Sequence, residues 1–210
     1  MVDVMLRFGV LAVMMLGGLQ DPTKSLPDAY QVAFENDYVR IVRVRYDAGA
    51  KLADHTHPAG TTVYVYLNDS DGVTFSHSSN NNRTVTRPAV KAGAIRISTG
   101  PEEHHTAENK SSTPSEFLRI LLKTEGSGSR NMRRMPPAET DYSNAQLRVT
   151  RIKLEQHDSQ TITAKEPALI VELPSGRTQW IAAGTSAEIA NHEVPLLELI
   201  RFDLLTKPQM

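Results

Sequence analysis

One segment of this chain recurs, in register and without a gap, in its second half. Asn36-Asp37-Tyr38-Val39-Arg40-Ile41-Val42-Arg43-Val44-Arg45-Tyr46 aligns with Asn144-Ala145-Gln146-Leu147-Arg148-Val149-Thr150-Arg151-Ile152-Lys153-Leu154. Asn36, Arg40 and Arg43 return as Asn144, Arg148 and Arg151. Thr62–Leu67 resembles Ala168–Leu173, and Phe117–Leu122 resembles Leu196–Arg201, in the same order along the chain. These segments are rich in β-branched residues and bounded by turns such as Asn68-Asp69-Ser70-Asp71-Gly72 and Thr99-Gly100-Pro101. Such runs read as strands, and their recurrence reads as a duplicated unit. The expectation is an all-β chain of two antiparallel barrels, 26–123 and 141–207, with almost no helix. Between them, 124–140 is rich in Gly, Ser, Pro and charge and reads as a linker.

The first unit carries a candidate site. His55-Thr56-His57 is answered some fifty residues later by His104-His105 and Asn109. Side chains alternate across a strand, so His55 and His57 point to one face, where an imidazole from a partner strand can join them. Neutral imidazole suits zinc, copper, iron and nickel. With 0 cysteines, neither a disulfide framework nor a thiolate site is available.

Gly49, His55, His57 and Gly72, followed by Gly93, His105 and Asn109, resemble the two motifs of the cupin superfamily over about 36–123. The resemblance implies a double-stranded β-helix, or jelly roll. It implies one divalent transition metal (Fe, Zn, Mn, Cu or Ni) held by His55, His57 and His105; Thr61, His104, Arg96 and Asn109 are the accessory candidates around it. Two departures stand out. The family's glutamate position falls on Thr61 or Thr62, so the usual carboxylate ligand is missing. The turn of the second motif is scrambled to Gly100-Pro101, so spacing from Gly93 selects His104 while spacing to Asn109 selects His105. His105 is preferred, because His105, Ala107 and Asn109 share a face. A three-histidine site without the glutamate resembles the iron sites of thiol-dioxygenase cupins, and its uncompensated charge favours a small anionic substrate. The other reading is a non-enzymatic cupin that binds a small ligand or serves a structural role. In the second unit, alignment puts Thr161 and Thr163 where the histidines stand. That copy reads as a degenerate barrel that packs on the first or covers its edge.

Other residues carry weaker expectations. If the parity of His57 continues through Thr61, Val63 and Val65, then Tyr64 and Tyr66 face outward. His77 reads as an outer-surface histidine. Arg96 is either a surface residue or, pointing inward, an anchor for a substrate carboxylate. The net charge of −1 gives no case for nucleic acid. The apolar run Phe8–Leu16, too short to span a bilayer, reads as the core of a secretory signal over 1–19. The expectation is therefore an exported protein with a small-molecule partner, free of the membrane once the signal is removed. Pairing as a homodimer is left open.

Overall fold

The computed structural model describes residues 21–77, 83–124, 126 and 131–208; the expected signal segment lies outside them. Each half of the chain folds as two antiparallel sheets. In the first half a six-stranded sheet has the spatial order β1 (Tyr30–Glu35), β2 (Val39–Tyr46), β9 (Ser115–Leu122), β4 (Gly60–Tyr66), β7 (Ile95–Gly100), β10 (Asn131–Met135). Its companion is β3 (Lys51–His57), β8 (Glu103–Glu108), β5 (Thr74–His77), β6 (Arg83–Thr86). In the second half the larger sheet is β11 (Asp141–Ser143), β12 (Leu147–Glu155), β17 (Leu196–Leu204), β14 (Ala168–Leu173), β15 (Thr178–Ile181). The smaller one pairs β13 (Ser159–Thr163) with β16 (Ser186–Ala190). Helix among the described residues is confined to Pro22–Ser25, so the fold is all-β and antiparallel, as the alternating segments require.

The strand order repeats. β12-β17-β14-β15 follows the order of β2-β9-β4-β7, and β13–β16 follows β3–β8. The recurring asparagines explain part of this. Asn36 Oδ1 accepts from the amides of Tyr38 and Val39, and Asn144 Oδ1 accepts from those of Gln146 and Leu147. Each closes the turn that starts its long strand.

Part of the stretch 124–140, read as linker, is a strand: β10 pairs with β7 from Asn131↔Thr99 to Met135↔Ile95. It buries only Met135 and exposes the rest, so no hydrophobic alternation marks it in the sequence. Its pairing covers an edge that would otherwise be open to other chains.

Three cores result. One lies inside the first half, around Tyr30, Val44, Tyr46, Tyr64, Tyr66, Phe75 and Phe117. Another fills the second half, around Leu154, Ile162, Ala168, Ile170 and Leu199. The third joins the halves: Val63, Val65, Ile97 and Ile120 pack with Val149, Leu169, Val171, Ile200 and Phe202. The two large sheets therefore face each other, and their central strands β9, β4 and β14 are largely buried on both faces. The repeated arginines cross this interface reciprocally. Arg43 Nη1 donates to Ser175 O at 2.8 Å, and Arg151 Nη2 donates to Gly93 O at 2.7 Å.

Candidate metal centre

β3 and β8 form the floor of the site, because His55 pairs with His105 in register. Between Leu52 and His55 the register slips: three residue steps on β3 answer two on β8, from Ala107 to His105. This is a β-bulge, and bulges re-aim side chains. Here the bulge brings Ala53 O to 2.8 Å from His55 Nδ1. A carbonyl only accepts, so Nδ1 carries the proton and Nε2 presents its lone pair. That lone pair accepts from the Tyr30 hydroxyl at 2.7 Å, and Tyr46 Oη lies 2.6 Å from Tyr30 Oη.

His55, His57 and His105 converge, all buried, with ligand atoms within 4.8 Å of one another. Imidazole nitrogens coordinated at about 2.0–2.1 Å sit roughly 3 Å apart, so the rings must draw in by ~1–2 Å around an ion. The chemistry of the pocket fits such an ion. Among the described residues neither ring nitrogen of His105 has a hydrogen-bond partner, although both are buried; an unpaired buried polar atom calls for an occupant. Burial, followed by the charges of His55 and His77, pushes His105 down to about 2. Burial also lowers His55, and lowers His57 strongly. All three are neutral imidazoles at physiological pH, the form that binds metal.

The other expected site residues are placed differently. His104 faces away from the cluster and pairs with Asp54, Nε2 to Oδ2 at 2.7 Å. Asn109 is fully buried but ties loops together: its Nδ2 donates to the carbonyls of Tyr46, Asp47 and Thr113. Thr61 lies on the far face of β4, with its Oγ1 2.8 Å from Thr99 Oγ1. Thr62 faces the interior instead, 3.4 Å from Arg119 Nη2. The parity carried from His57 to β4 was therefore reversed. Pro58-Ala59 takes the chain from one sheet to the facing one, and alternation does not survive that crossing. Tyr64 and Tyr66 point inward, while Val63 and Val65 meet the second half. His77, expected outside, is opposite His105 in register, and the two ring centroids are 5.2 Å apart.

Above the triad runs a narrow cavity (≈ 30 Å³) lined by His57, His105, Tyr46, Tyr64, Tyr66, Phe75, Phe117 and three arginines, Arg87, Arg96 and Arg119. Arg96 points inward, its Cζ 3.7 Å from the centre of the Tyr64 ring, a cation–π contact. Burial alone would raise Tyr64, yet the charges of Arg96 and Arg119 hold it below the usual phenol range. Tyr30, Tyr46, Arg87 and Arg119 were missed at the level of sequence. For Tyr46 a signal exists, since Val42, Val44 and Tyr46 share one parity and one core.

The second half keeps the frame of the site without its ligands. His157 takes the backbone conformation of Gly49, each with φ 71°. Asn191 takes the part of Asn109, its Nδ2 donating to Leu154 O and Val194 O. Counting along β13 and β16 from these anchors places Ile162, Ala164 and Ala187 where His55, His57 and His105 stand. Thr161 and Thr163, expected there, are exposed. The alignment was one residue out because β13 pairs without the bulge that β3 contains.

No protein-family model matches the chain, and no curated protein matches it. Solved structures do. AerE from Microcystis aeruginosa is similar at 13% identity with a TM-score of 0.60, over 84% of this chain and 97% of that one. GK1651 from Geobacillus kaustophilus gives 10% identity and a TM-score of 0.50, over 86% and 96%. A cupin domain from Bordetella pertussis Tohama I gives 20% and 0.38, over 45% and 91%. The fold is a nearly all-β, antiparallel jelly roll. Within it, the small sheet supplies the histidines, and the large sheet supplies the tyrosines and two of the arginines, Arg96 and Arg119, that face them.

Proposed function

We propose that the first cupin unit holds one divalent transition metal through His55, His57 and His105 and acts on a small anionic substrate, by oxygen-dependent oxidation or cleavage. The supporting observation is the buried three-histidine cluster in which His105 has no hydrogen-bond partner among the described residues. Bound there, the ion supplies Lewis-acid or redox chemistry, and its neutral ligands leave its charge uncompensated. The chain's own residues do the rest. The Ala53 carbonyl fixes the ring and tautomer of His55. Tyr30 must release His55 Nε2 when that lone pair is engaged. Burial, with the neighbouring Tyr46 adding to it, raises Tyr30 well above the usual phenol range, so it keeps its proton and acts as a donor toward the centre. Glu103 is the carboxylate in the cavity wall and the candidate to move a proton, since His104 faces elsewhere. Tyr46, Tyr64, Phe75 and Phe117 keep bulk water out.

Elemental analysis of protein purified without an affinity tag tests the first step. One equivalent of metal is expected, lost in His57→Ala and kept in His157→Ala and His192→Ala. Iron(II) reconstitution without oxygen, followed by thiol, diketone and hydroxy-acid substrates under air, tests the second. Turnover with zinc or manganese but not iron would exclude the oxygenase reading. Absence of metal uptake would favour a non-enzymatic cupin. We propose in addition that residues 1–19 direct export, which mass measurement of the mature N-terminus checks.

A further inference from the structure

Three guanidinium groups enter one small cavity, and among the described residues no carboxylate lies within ion-pairing distance of any of them. Arg96 and Arg119 are only 6% and 7% exposed. The Nε of each, and of Arg87, is buried without a hydrogen-bond partner. A buried charge left unpaired is costly, and a chain that keeps two such groups together, with the half-buried Arg87 beside them, calls for an anion to pair them. Glu103, half-buried in the same wall, is the only acidic side chain lining the cavity among the described residues. It cannot balance three arginines.

We infer that Arg87, Arg96 and Arg119 bind one carboxylate of a small dicarboxylate whose other carboxylate reaches the three-histidine centre. The second half of that statement rests on the metal reading; the first does not. The planar fork of arginine matches a carboxylate in a bidentate way. Arg96 is already oriented by the Tyr64 face beneath it, at 3.7 Å, and Arg87 lies over Phe75 at 5.2 Å. Arg119 comes from β9, Arg96 from β7 and Arg87 from the segment after β6, so they approach from separate elements. A monoanion would leave most of this positive charge, and that of the ion, uncompensated. The narrowness of the cavity restricts the ligand to a short chain.

Calorimetric titration of the whole protein with malonate, and with acetate as the monoanion, tests this in metal-free and zinc-loaded samples. Malonate is expected to bind both, at least tenfold more tightly with zinc, and acetate at least tenfold more weakly than malonate in the zinc-loaded sample. Arg96→Met and Arg119→Met should each weaken malonate at least tenfold in both samples. Arg96→Lys, which keeps the charge and loses the fork, should do the same. Removing an unpaired buried charge should leave the melting temperature of the ligand-free variants equal to or above that of the parent, which separates lost binding from lost folding. Malonate binding that is unchanged in these variants, or absent from both samples, would overturn the proposal. Arginine-dependent binding that zinc does not strengthen would leave the anchor standing and count against the metal reading alone.

Discussion

Three neutral imidazoles in a buried pocket make the metal-free chain sensitive to acid in a defined direction. His105 is held down to about 2 in the folded state, and His55 and His57 are lowered too, each chiefly by burial. In the unfolded chain they return to about 6.5. Below that value the unfolded state binds protons that the folded state refuses, so stability is complete above about pH 6.5 and drops as pH falls toward the folded values. We expect the melting temperature of metal-free protein to be level near pH 7–8 and to fall steadily below about pH 6.5. His105→Leu should make that fall shallower; an identical slope in the variant would assign the acid sensitivity to other groups. The triad itself was legible, because His-x-His within a strand needs only local alternation to be read. Tyr64, Tyr66 and His77 were not, because which face is inner is decided by the sheet that each strand joins. The unpaired arginines are a property of what is missing around them, which no single sequence displays.

At the scale of the element, β3 carries one residue more than β13 over its paired stretch, and that residue orients one of the ligands. The bulge near Ala53 and Asp54 supplies the carbonyl that orients His55. Deleting Asp54 would leave Leu52, Ala53 and His55 alternating in, out and in, as Gln160, Thr161 and Ile162 pair regularly with β16. The histidines should stay on the inner face while His55 loses its fixed tautomer. Loss of such an outer partner weakens metal binding by about 10–100-fold. We therefore expect a folded variant with zinc affinity reduced by that order, measured by competition with a chelator. Affinity equal to that of the parent would show that the bulge has no part in ligation. The same residue puts the two halves out of step by one, since a bulge is an insertion that β-propensity cannot reveal. Strand β10 is not legible in the sequence for a different reason: its pairing is made by backbone, and its side chains are nearly all exposed.

The two halves are tied by more than the chain between them. Val63, Val65, Ile97 and Ile120 lose their cover if the second half is absent, and so do Val149, Val171 and Ile200 in return. Trp180 of β15 adds to this by packing on Phe34 and Tyr38, with ring centroids 6.3 and 5.4 Å away. Where the arginines cross, each turn glycine approaches the repeated leucine of the other half. A Cβ on Gly176 would stand 2.7 Å from Leu67 Cδ1, and one on Gly93 would stand 3.2 Å from Leu173 Cδ1. Equivalent residues of the two halves thus meet reciprocally across the shared core. It also gives the ligand-free second unit a physical task, which is to bury the outer face of the sheet that carries Tyr64, Arg96 and Arg119. An interface of this kind couples the folding of its two sides. We expect a single cooperative transition in urea, with fluorescence of Trp180 and circular dichroism reporting the same midpoint. Val171→Asp buries an unpaired charge in the shared core and should cost about 3 kcal/mol or more. It should move both probes together and lower zinc retention by a site to which it contributes no ligand. Two separated transitions, or a variant whose first half keeps its midpoint, would mean that the halves fold independently and that the second is dispensable to the site.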